Sequence, residues 1–417
     1  MGKYSIKGLM YPSSINLWYL ACAQGISSFA SAFLTFSLVL YGANSSDTFG
    51  LGLSLAARTL PILLVTLLGG VIADKWDRVK VSVSSIVAGM ILNVCLALVL
   101  PGEGLGWKAQ LILLLSGFVV AIGSPSLYAL LPSIVEKSEI LHGNALVRSF
   151  RNVAGIVAPG AAAAIGVHTS PVFLLWSIVA MNAVSACLVA RIKITENVIA
   201  QKDEGNDRTT FRSVMSGNSW LYFTIPFWGI FLAVHFGAAE VSQPIYIIER
   251  LGPSIWSLMM SSVAIGYVCG SLFSLRIRTT KLISGSMAWG ALSVAQLLAC
   301  SLSDSFWILI ISSFLTGVGF EISGVLWGSA LQSRIPASQM GRVSSLDYMI
   351  SFGTTPFAYF IYALFPAQIL HSVISISALL LIILALGGIS MGLFLDRKNS
   401  RISASESSAE PSSSVIG

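Results

Sequence analysis

The sequence predicts an all-α integral membrane protein with twelve transmembrane helices. Of its 417 residues, 55% are hydrophobic and only 10% are charged, and the mean hydropathy is +0.82. A soluble globular protein carries roughly 25% charged residues, so this composition excludes a soluble enzyme, a secreted disulfide scaffold and a disordered regulator. Because one span takes roughly 20 apolar residues, twelve spans use about 240 and leave the rest for loops and tails.

Apolar stretches of helical length follow one another along the chain. The first stretch comes after Lys3 and Lys7, but it is too long for the apolar region of a signal peptide, and further spans follow at once. It is therefore predicted to be a retained helix. The predicted spans are residues 15–40, 50–73, 80–100, 109–132, 143–166, 171–191, 218–247, 254–275, 282–302, 305–331, 343–365 and 367–395.

The basic residues predict the orientation of these spans. With an even number of spans, both termini lie on one side, and the loops of that side carry nineteen lysines and arginines. The opposite loops carry only Lys108 and Arg250. Since cytoplasmic loops are enriched in lysine and arginine, both termini are predicted to lie in the cytoplasm. The protein is predicted to reside in the cell membrane, which is the inner or plasma membrane. The net charge of +6 thus indicates topology and not nucleic-acid binding.

The chain divides into two halves of six spans. Residues 192–217 form the longest internal polar stretch, a predicted cytoplasmic linker between an N-terminal half (1–191) and a C-terminal half (218–395). Gly70-Val-Ile-Ala-Asp74 at the end of the second span has a counterpart in Gly270-Ser-Leu-Phe-Ser274 near the end of the eighth. Six-plus-six repetition is typical of secondary transporters with a midplane solute site. The Ser-rich tail, 396–417, is predicted to be disordered.

A motif in the loop after the second span points to a family. Residues 70–80 read GVIADKWDRVK, which resembles the signature G-x-x-x-D-[R/K]-x-G-[R]-x-[R/K] of the major facilitator superfamily, with Asp77 in place of its second glycine. In that family the loop docks against the start of the eleventh span. The resemblance therefore implies that Asp74 meets the helix that begins near Gly341, and that an acid further along receives a basic side chain. The implied gating residues are Gly70, Asp74, Lys75, Arg78, Lys80 and Asp347.

Further stretches resemble the exporter branch of this superfamily, which includes macrolide-efflux and enterobactin-export proteins. They are ALLPSIV at 129–135, GNAL at 143–146, RN at 151–152, APG at 158–160, RIP at 334–336 and GRV at 341–343. The fifth span also resembles the kinked span of proton-coupled exporters, since Pro159 removes a helix hydrogen bond and Gly160 lets another helix approach. Alanines replace further glycines of that kink motif. The resemblance implies drug efflux, multidrug resistance and proton antiport.

Few ionisable residues fall inside the predicted spans. A charged side chain in lipid is costly, so each is expected to have a functional role or an ion-pair partner. Arg151 is predicted to face the central cavity, whereas Arg148, nearer the cytoplasmic interface, can also snorkel to the headgroups. The set comprises Arg58, Arg148, Arg151, His235, Glu240, Glu321 and Asp347.

Glu321 is predicted to take part in proton coupling. It lies in the tenth predicted span beside Gly317 and Gly319, which let water or another helix come close. The alternative is a permanent salt bridge to an arginine of another span. Arg58, Glu240 and His235 are further candidates for proton coupling or substrate binding. Glu240 could instead lie at the outer membrane interface, and His235 could be a hydrogen-bonded core residue.

Three functions are compatible with the sequence. The favoured one is a monomeric transporter that exports a small amphipathic or lipophilic compound, with protons as the second partner. An importer or facilitator of a nutrient such as a sugar is the alternative. A membrane-embedded enzyme or receptor is remote, because the sequence has no Walker A motif, no H-x-x-x-H metal spacing and no G-x-S-x-G elbow. No cofactor, metal or nucleic acid is expected.

Overall fold

The computed structural model describes residues 12–68, 77–135, 140–193, 218–274, 276–335 and 337–409. Within those ranges all regular structure is helical, which confirms the predicted all-α class. Short 3₁₀ turns lie at Leu131–Ser133 and Ala367–Ile369. The main helices are α1 (Pro12–Asn44), α2 (Thr48–Leu68), α3 (Arg78–Glu103), α4 (Trp107–Ala129), α5 (Ile140–His168), α6 (Pro171–Ala190), α7 (Leu221–Gly237), α8 (Gln243–Leu251), α9 (Pro253–Ser274), α10 (Leu282–Leu292), α11 (Ala295–Leu302), α12 (Phe306–Arg334), α13 (Ala337–Gly353), α14 (Thr355–Ala363) and α15 (Leu370–Ala409).

The helices coincide with the predicted spans. Nine helical segments in the described ranges are long and apolar enough to cross a membrane. Helices α2, α5 and the pair α13–α14 also cover most of the second, fifth and eleventh predicted spans. A helical chain suits lipid because each helix satisfies its own backbone hydrogen bonds. The structure is therefore consistent with twelve spans.

Three predicted spans are interrupted. The seventh contains a π-helical turn at Ala238–Ser242, between α7 and α8. Proline explains this turn, because Pro244 has no N–H to donate to the carbonyl of Glu240, four residues earlier. The eleventh span breaks at Thr354, directly before α14 and its Pro356. The ninth breaks between α10 and α11, where the Ser293 hydroxyl donates to the carbonyl of Gly290.

The last helix runs further than predicted. Helix α15 continues to Ala409, so the prediction of a disordered tail from residue 396 is wrong for 396–409, and 410–417 lie outside the described residues. Asp396 explains part of the extension. Its carboxylate accepts from Arg334 Nη2 at 2.7 Å and from the backbone N–H of Ser284 at 2.9 Å. These contacts anchor α15 to α12 and α10 where its apolar stretch ends.

The largest contacts between the two halves join α2 with α14, α5 with α9, and α1 with α8, and α2 also contacts α13. Small residues allow the approach, since a Cβ on Gly52 would lie 2.5 Å from Cβ of Ala363. The Ser46 hydroxyl, in the loop after α1, donates to the Glu249 carboxylate near the end of α8. We call this part of the molecule the Ser46 end, and the opposite part, where α3 begins, the Asp77 end. The halves are therefore in contact at the Ser46 end.

Candidate functional site

Arg58 lies deep within the helix bundle, on α2. It is ten residues into the helix, which places it about 15 Å from the start at the Ser46 end. Its Nη1 donates to Thr35 Oγ1 at 2.7 Å, and its Nη2 donates to Ser31 Oγ at 2.6 Å. Both hydroxyls belong to α1, where they are four residues apart and so share one face. Two hydroxyls of its own half thus hold the guanidinium.

Glu240 occupies the π-helical turn of the C-terminal half. Its Oε2 accepts a hydrogen bond of 2.5 Å from the hydroxyl of Tyr359, which is buried on α14. The carboxylate therefore faces the neighbouring helix α14. Single π turns in membrane and soluble helices often lie at functional sites, because they redirect a side chain. Here the turn directs an acid towards the other half.

Arg58 and Glu240 bring opposite charges together across the two halves. The two side chains interact electrostatically, and Tyr359 takes part in the same interaction. They do not form a contact ion pair, since the ion pairs within 4.0 Å among the described residues join other side chains. In a low-dielectric interior such an attraction acts over longer distances than in water. We call this longer-range attraction the charge contact, and its strength depends on how close the halves are.

A cavity of about 300 Å³ lies beside Glu240. Its wall is mostly apolar and aromatic, with amide and hydroxyl groups interspersed, and we call it the aromatic cavity. Gln243, Trp256 and Gln296 each have a buried polar atom with no hydrogen-bond partner in the described structure. Such a wall suits a ligand with both apolar and polar parts. The lining includes Thr35, Phe36, His235, Phe236, Glu240, Gln243, Trp256, Met260, Tyr267, Gln296 and Thr316.

His235 is packed among aromatic rings on one wall of the aromatic cavity. Its ring stacks on Phe231 and Phe320, with centroid separations of 6.5 and 5.9 Å, and only 6% of the residue is exposed. Its Nδ1 has no hydrogen-bond partner among the described residues. As a core histidine, His235 would have hydrogen-bond partners for its ring nitrogens, and Nδ1 has none in the described structure. His235 contributes an unpaired ring nitrogen beside the cavity.

A second cavity, of about 270 Å³, lies inside the N-terminal half, among α1–α6. We call it the polar cavity. Arg58 and Arg151 both line it, so Arg151 faces a cavity of its own half. The side chain of Arg148 lies outside the described part of the chain. The other polar residues of the lining are Gln24, Ser27, Ser28, Ser31, Ser82, Ser85, Asn93, Ser116, Ser124 and Asn182.

Glu321 is not among the described residues that line either cavity, although it interacts electrostatically with Tyr267 of the aromatic cavity. Glu321 is half-buried on α12 and faces α9, where a Cβ added at Gly270 would be 3.1 Å from the Cβ of Glu321. No described arginine side chain lies within 4.0 Å of its carboxylate. The alternative of a salt bridge to an arginine is thus not seen among the described side chains. Its proposed role in proton coupling stays a prediction.

The predicted gate is described only in part, because Gly70, Asp74 and Lys75 lie outside the described residues. Arg78 Nη1 donates to Ser133 Oγ at 3.1 Å, and Lys80 lies 3.9 Å from the Asp77 carboxylate.

Asp77, which replaces the glycine of the signature, caps α3 by accepting from the backbone N–H groups of Val79 and Lys80. On the other half, Asp347 accepts from Trp327 Nε1 at 3.0 Å and from Ser351 Oγ at 3.1 Å. At the predicted kink, Gly160 faces Ser261 of α9, and the side chain of Pro159 is not described.

Sequence reasoning missed the neutral partners of the charged residues. Ser31, Thr35 and Tyr359 carry no charge, so they do not stand out inside an apolar span. A signal was present in the spacing of Ser31 and Thr35, which places two hydroxyls on one helical face. Tyr359 has no comparable signal, because only the packing of α14 against α2 brings it to the interface.

The sequence matches the model of the family described as Major Facilitator Superfamily over residues 20–355. The chain belongs to the major facilitator superfamily. Membership of this superfamily makes the chain a transporter of the secondary type. The comparison with curated proteins finds no match.

Solved structures with the same fold include several transporters. The nucleoside transporter NupG is 15% identical, with a TM-score of 0.67 over 90% of this chain and 98% of that one. A bacterial homologue of the iron transporter ferroportin is 17% identical, with a TM-score of 0.66 over 93% and 100%. The D-xylose-proton symporter is 12% identical, with a TM-score of 0.64 over 88% and 96%. At these identities the likeness establishes the fold and leaves the substrate open.

Proposed function

We propose that this transporter exports a small amphipathic or lipophilic compound by alternating access and that protons entering the cell drive it. The observation that carries the proposal is the charge contact between Arg58 and Glu240 across the two halves, next to the aromatic cavity. An antiporter must couple proton binding to substrate binding and to the separation of its halves. A titratable acid at this position can do so, because it binds a proton, lies beside the aromatic cavity and attracts the other half.

The aromatic cavity supports an amphipathic substrate. Its apolar side chains, among them Phe36, Trp256 and Met260, offer contact area to a lipophilic skeleton. Gln243 and Gln296 supply polar atoms that have no partner in the described structure. A few polar groups on an apolar wall orient a ligand and restrict which compounds bind.

Glu240 is the proton carrier in this proposal. When its carboxylate is ionised, it attracts Arg58 and favours the conformation in which the halves meet at the Ser46 end. A proton on the carboxylate removes the attraction, so the population shifts towards separation at that end. Glu321 is the second candidate for the carrier, since it is an intramembrane acid without a described ion-pair partner.

In this proposal the Asp77 end faces the cytoplasm of a cell membrane, in agreement with the lysine and arginine distribution. Contact at the Ser46 end then corresponds to a cytoplasm-open conformation. Closure at the Asp77 end would bring the loop that contains Asp74 to the start of α13, whose free N–H groups attract an anion. The transporter is proposed to work as a monomer.

Susceptibility profiling tests the export proposal. Cells that overexpress the protein are compared with a deletion strain and with cells expressing Glu240→Gln at the same level, across a panel of amphipathic antibiotics. Export predicts raised tolerance to at least one compound with the wild-type protein only. Equal tolerance of all strains to every compound would contradict drug efflux. The alternative, nutrient import, predicts instead that wild-type cells accumulate a labelled sugar faster than the deletion strain.

A further inference from the structure

We propose that the polar cavity of the N-terminal half is an anion-binding site. Its ligand is a small organic anion, the anionic group of a larger compound, or a free inorganic anion. Binding at this site is independent of the direction of transport.

The charged residues in the described wall of the polar cavity are both arginines. Arg58 from α2 and Arg151 from α5 reach it, and the described part of its wall contains no aspartate or glutamate. Two guanidinium groups on one wall favour a positive potential, which a low-dielectric surrounding strengthens. Serine and asparagine side chains also line the cavity, beside apolar residues such as Leu34 and Ile178, and they can donate hydrogen bonds to an anion.

Two buried side chains of the wall lack partners. Ser82 is 1% exposed and Gln24 is 3% exposed, yet Ser82 Oγ and Gln24 Oε1 have no hydrogen-bond partner among the described residues. Buried polar atoms are nearly always paired in native proteins, so each indicates a missing partner. The Ser82 hydroxyl can donate to an anion, and Gln24 Oε1 can accept from a hydroxyl or N–H group on the same ligand. Both atoms thus point to a ligand or to water that accompanies it.

The size of the cavity restricts the ligand. Its volume of about 270 Å³ is near the lower limit of small-molecule pockets, roughly 300 Å³. A single aromatic or short aliphatic acid fits this volume, and so does the head of a larger amphipathic anion.

The polar cavity is linked to the charge contact between the halves. Arg58 lines the polar cavity and donates to Thr35, which lines the aromatic cavity on the other side of α1. An anion bound at Arg58 therefore competes with Glu240 for the same guanidinium. Occupation of the polar cavity would weaken the attraction between the halves, which couples binding to the conformational equilibrium.

The test uses the purified full-length protein in detergent at constant ionic strength. Sodium benzoate, its neutral analogue benzamide and inorganic phosphate are titrated while the thermal unfolding midpoint is measured, because a ligand of the folded state raises that midpoint. We expect a saturable rise with benzoate and none with benzamide. A comparable rise with phosphate identifies a general anion site, and a rise with benzoate only identifies an organic-acid site.

Variants locate the binding. Arg151→Gln is expected to raise the dissociation constant about tenfold or more through the loss of a charge-assisted hydrogen bond, and Arg151→Lys less. Arg278→Gln, at an exposed loop position, is the matched control and should bind like the wild type. Ser82→Ala, which removes one donor and little volume, provides a second test if Arg151→Gln fails to fold.

Three results would overturn the anion site. The first is equal binding of benzoate and benzamide, and the second is an absence of saturable binding by both anions. The third is unchanged benzoate affinity in a folded Arg151→Gln or, failing that variant, in Ser82→Ala. Since the readout is binding, none of these results depends on whether the protein exports its substrate.

Discussion

The two halves share one architecture but have opposite chemistry in their interiors. The arginines within the predicted spans, apart from Arg191 at the end of one, are Arg58, Arg148 and Arg151, and all belong to the N-terminal half. The three acids within the spans, Glu240, Glu321 and Asp347, all belong to the C-terminal half. The pseudo-symmetric fold therefore carries an asymmetric charge distribution. Attraction between the halves is then a property of the interface, and any event that neutralises one charge weakens it.

Contacts between aromatic rings are also divided unevenly, since most of those described lie in the C-terminal half. A chain of neighbouring rings runs through the C-terminal half, where Phe227 packs on Trp228, Trp228 on Trp327, and Phe231 on His235. The interior of the N-terminal half has instead a cavity lined by serines, amides and arginines. This difference agrees with the two proposals, in which the C-terminal half binds lipophilic surface and the N-terminal half binds an anion.

The largest expected effect comes from removing the acid that faces the N-terminal half. Glu240→Gln keeps the size of the side chain and its ability to accept from Tyr359, but it removes the charge and the titration. Proton-driven transport in proteoliposomes is expected to fall about 100-fold or more, as for a lost charge interaction of about 3 kcal/mol. Counterflow, which needs no proton gradient, should persist.

Glu321→Gln is the matched comparison for Glu240→Gln. Full proton-driven transport by Glu321→Gln would remove Glu321 from the coupling mechanism. If Glu321→Gln abolishes coupling and Glu240→Gln does not, the proton carrier is Glu321, and the contact with Arg58 serves only the packing of the halves.

The next effect tests whether the halves need close contact at the Ser46 end. Gly52→Val is expected to separate α2 from α14, because a Cβ at residue 52 would lie 2.5 Å from Cβ of Ala363. Overpacking of this kind costs about 1–3 kcal/mol. The thermal unfolding midpoint should fall, and the conformation should shift towards separation at the Ser46 end. Gly387→Val is the control, since nothing lies within 4 Å of a Cβ at that position; an equal effect there would contradict the contact.

A smaller effect is expected at the Asp77 end. Asp74→Asn should remove an interaction of about 1–2 kcal/mol with the start of α13, which changes the population ratio about 5- to 30-fold. Expression and insertion should be unchanged. A cysteine placed at Ser85, in a background without native cysteines, should then react faster with a maleimide. Unchanged labelling together with unchanged transport would show that Asp74 serves topology only.

The fold was predictable from the sequence because hydropathy over roughly twenty residues is a local property. The π turn had a local signal as well, in Pro244, but the predicted span 218–247 continues through it without a break. The helical extension to Ala409 was missed, since its anchor depends on Arg334 and Ser284, which are distant in sequence.

The candidate site was predictable only as a set of residues. Arg58, Arg151, Glu240 and His235 were identified by their cost in lipid, and the structure brings all four to the two cavities. Their grouping was not predictable, because it depends on the packing of α2 against α14 and on the direction that the π turn gives to Glu240. Tyr359, a partner of Glu240, carried no signal in the sequence.

The contact between Arg58 and Glu240 is tested most directly by a double-mutant cycle on the distance between the halves. Spin labels at residues 102 and 302, both exposed at the Ser46 end, report that distance in the wild type, in Arg58→Gln, in Glu240→Gln and in the double variant. Each single variant is predicted to increase the population with separated halves, and the double variant is predicted to add little to either. Additive shifts, or distances unchanged in both single variants, would contradict an attraction between these two side chains.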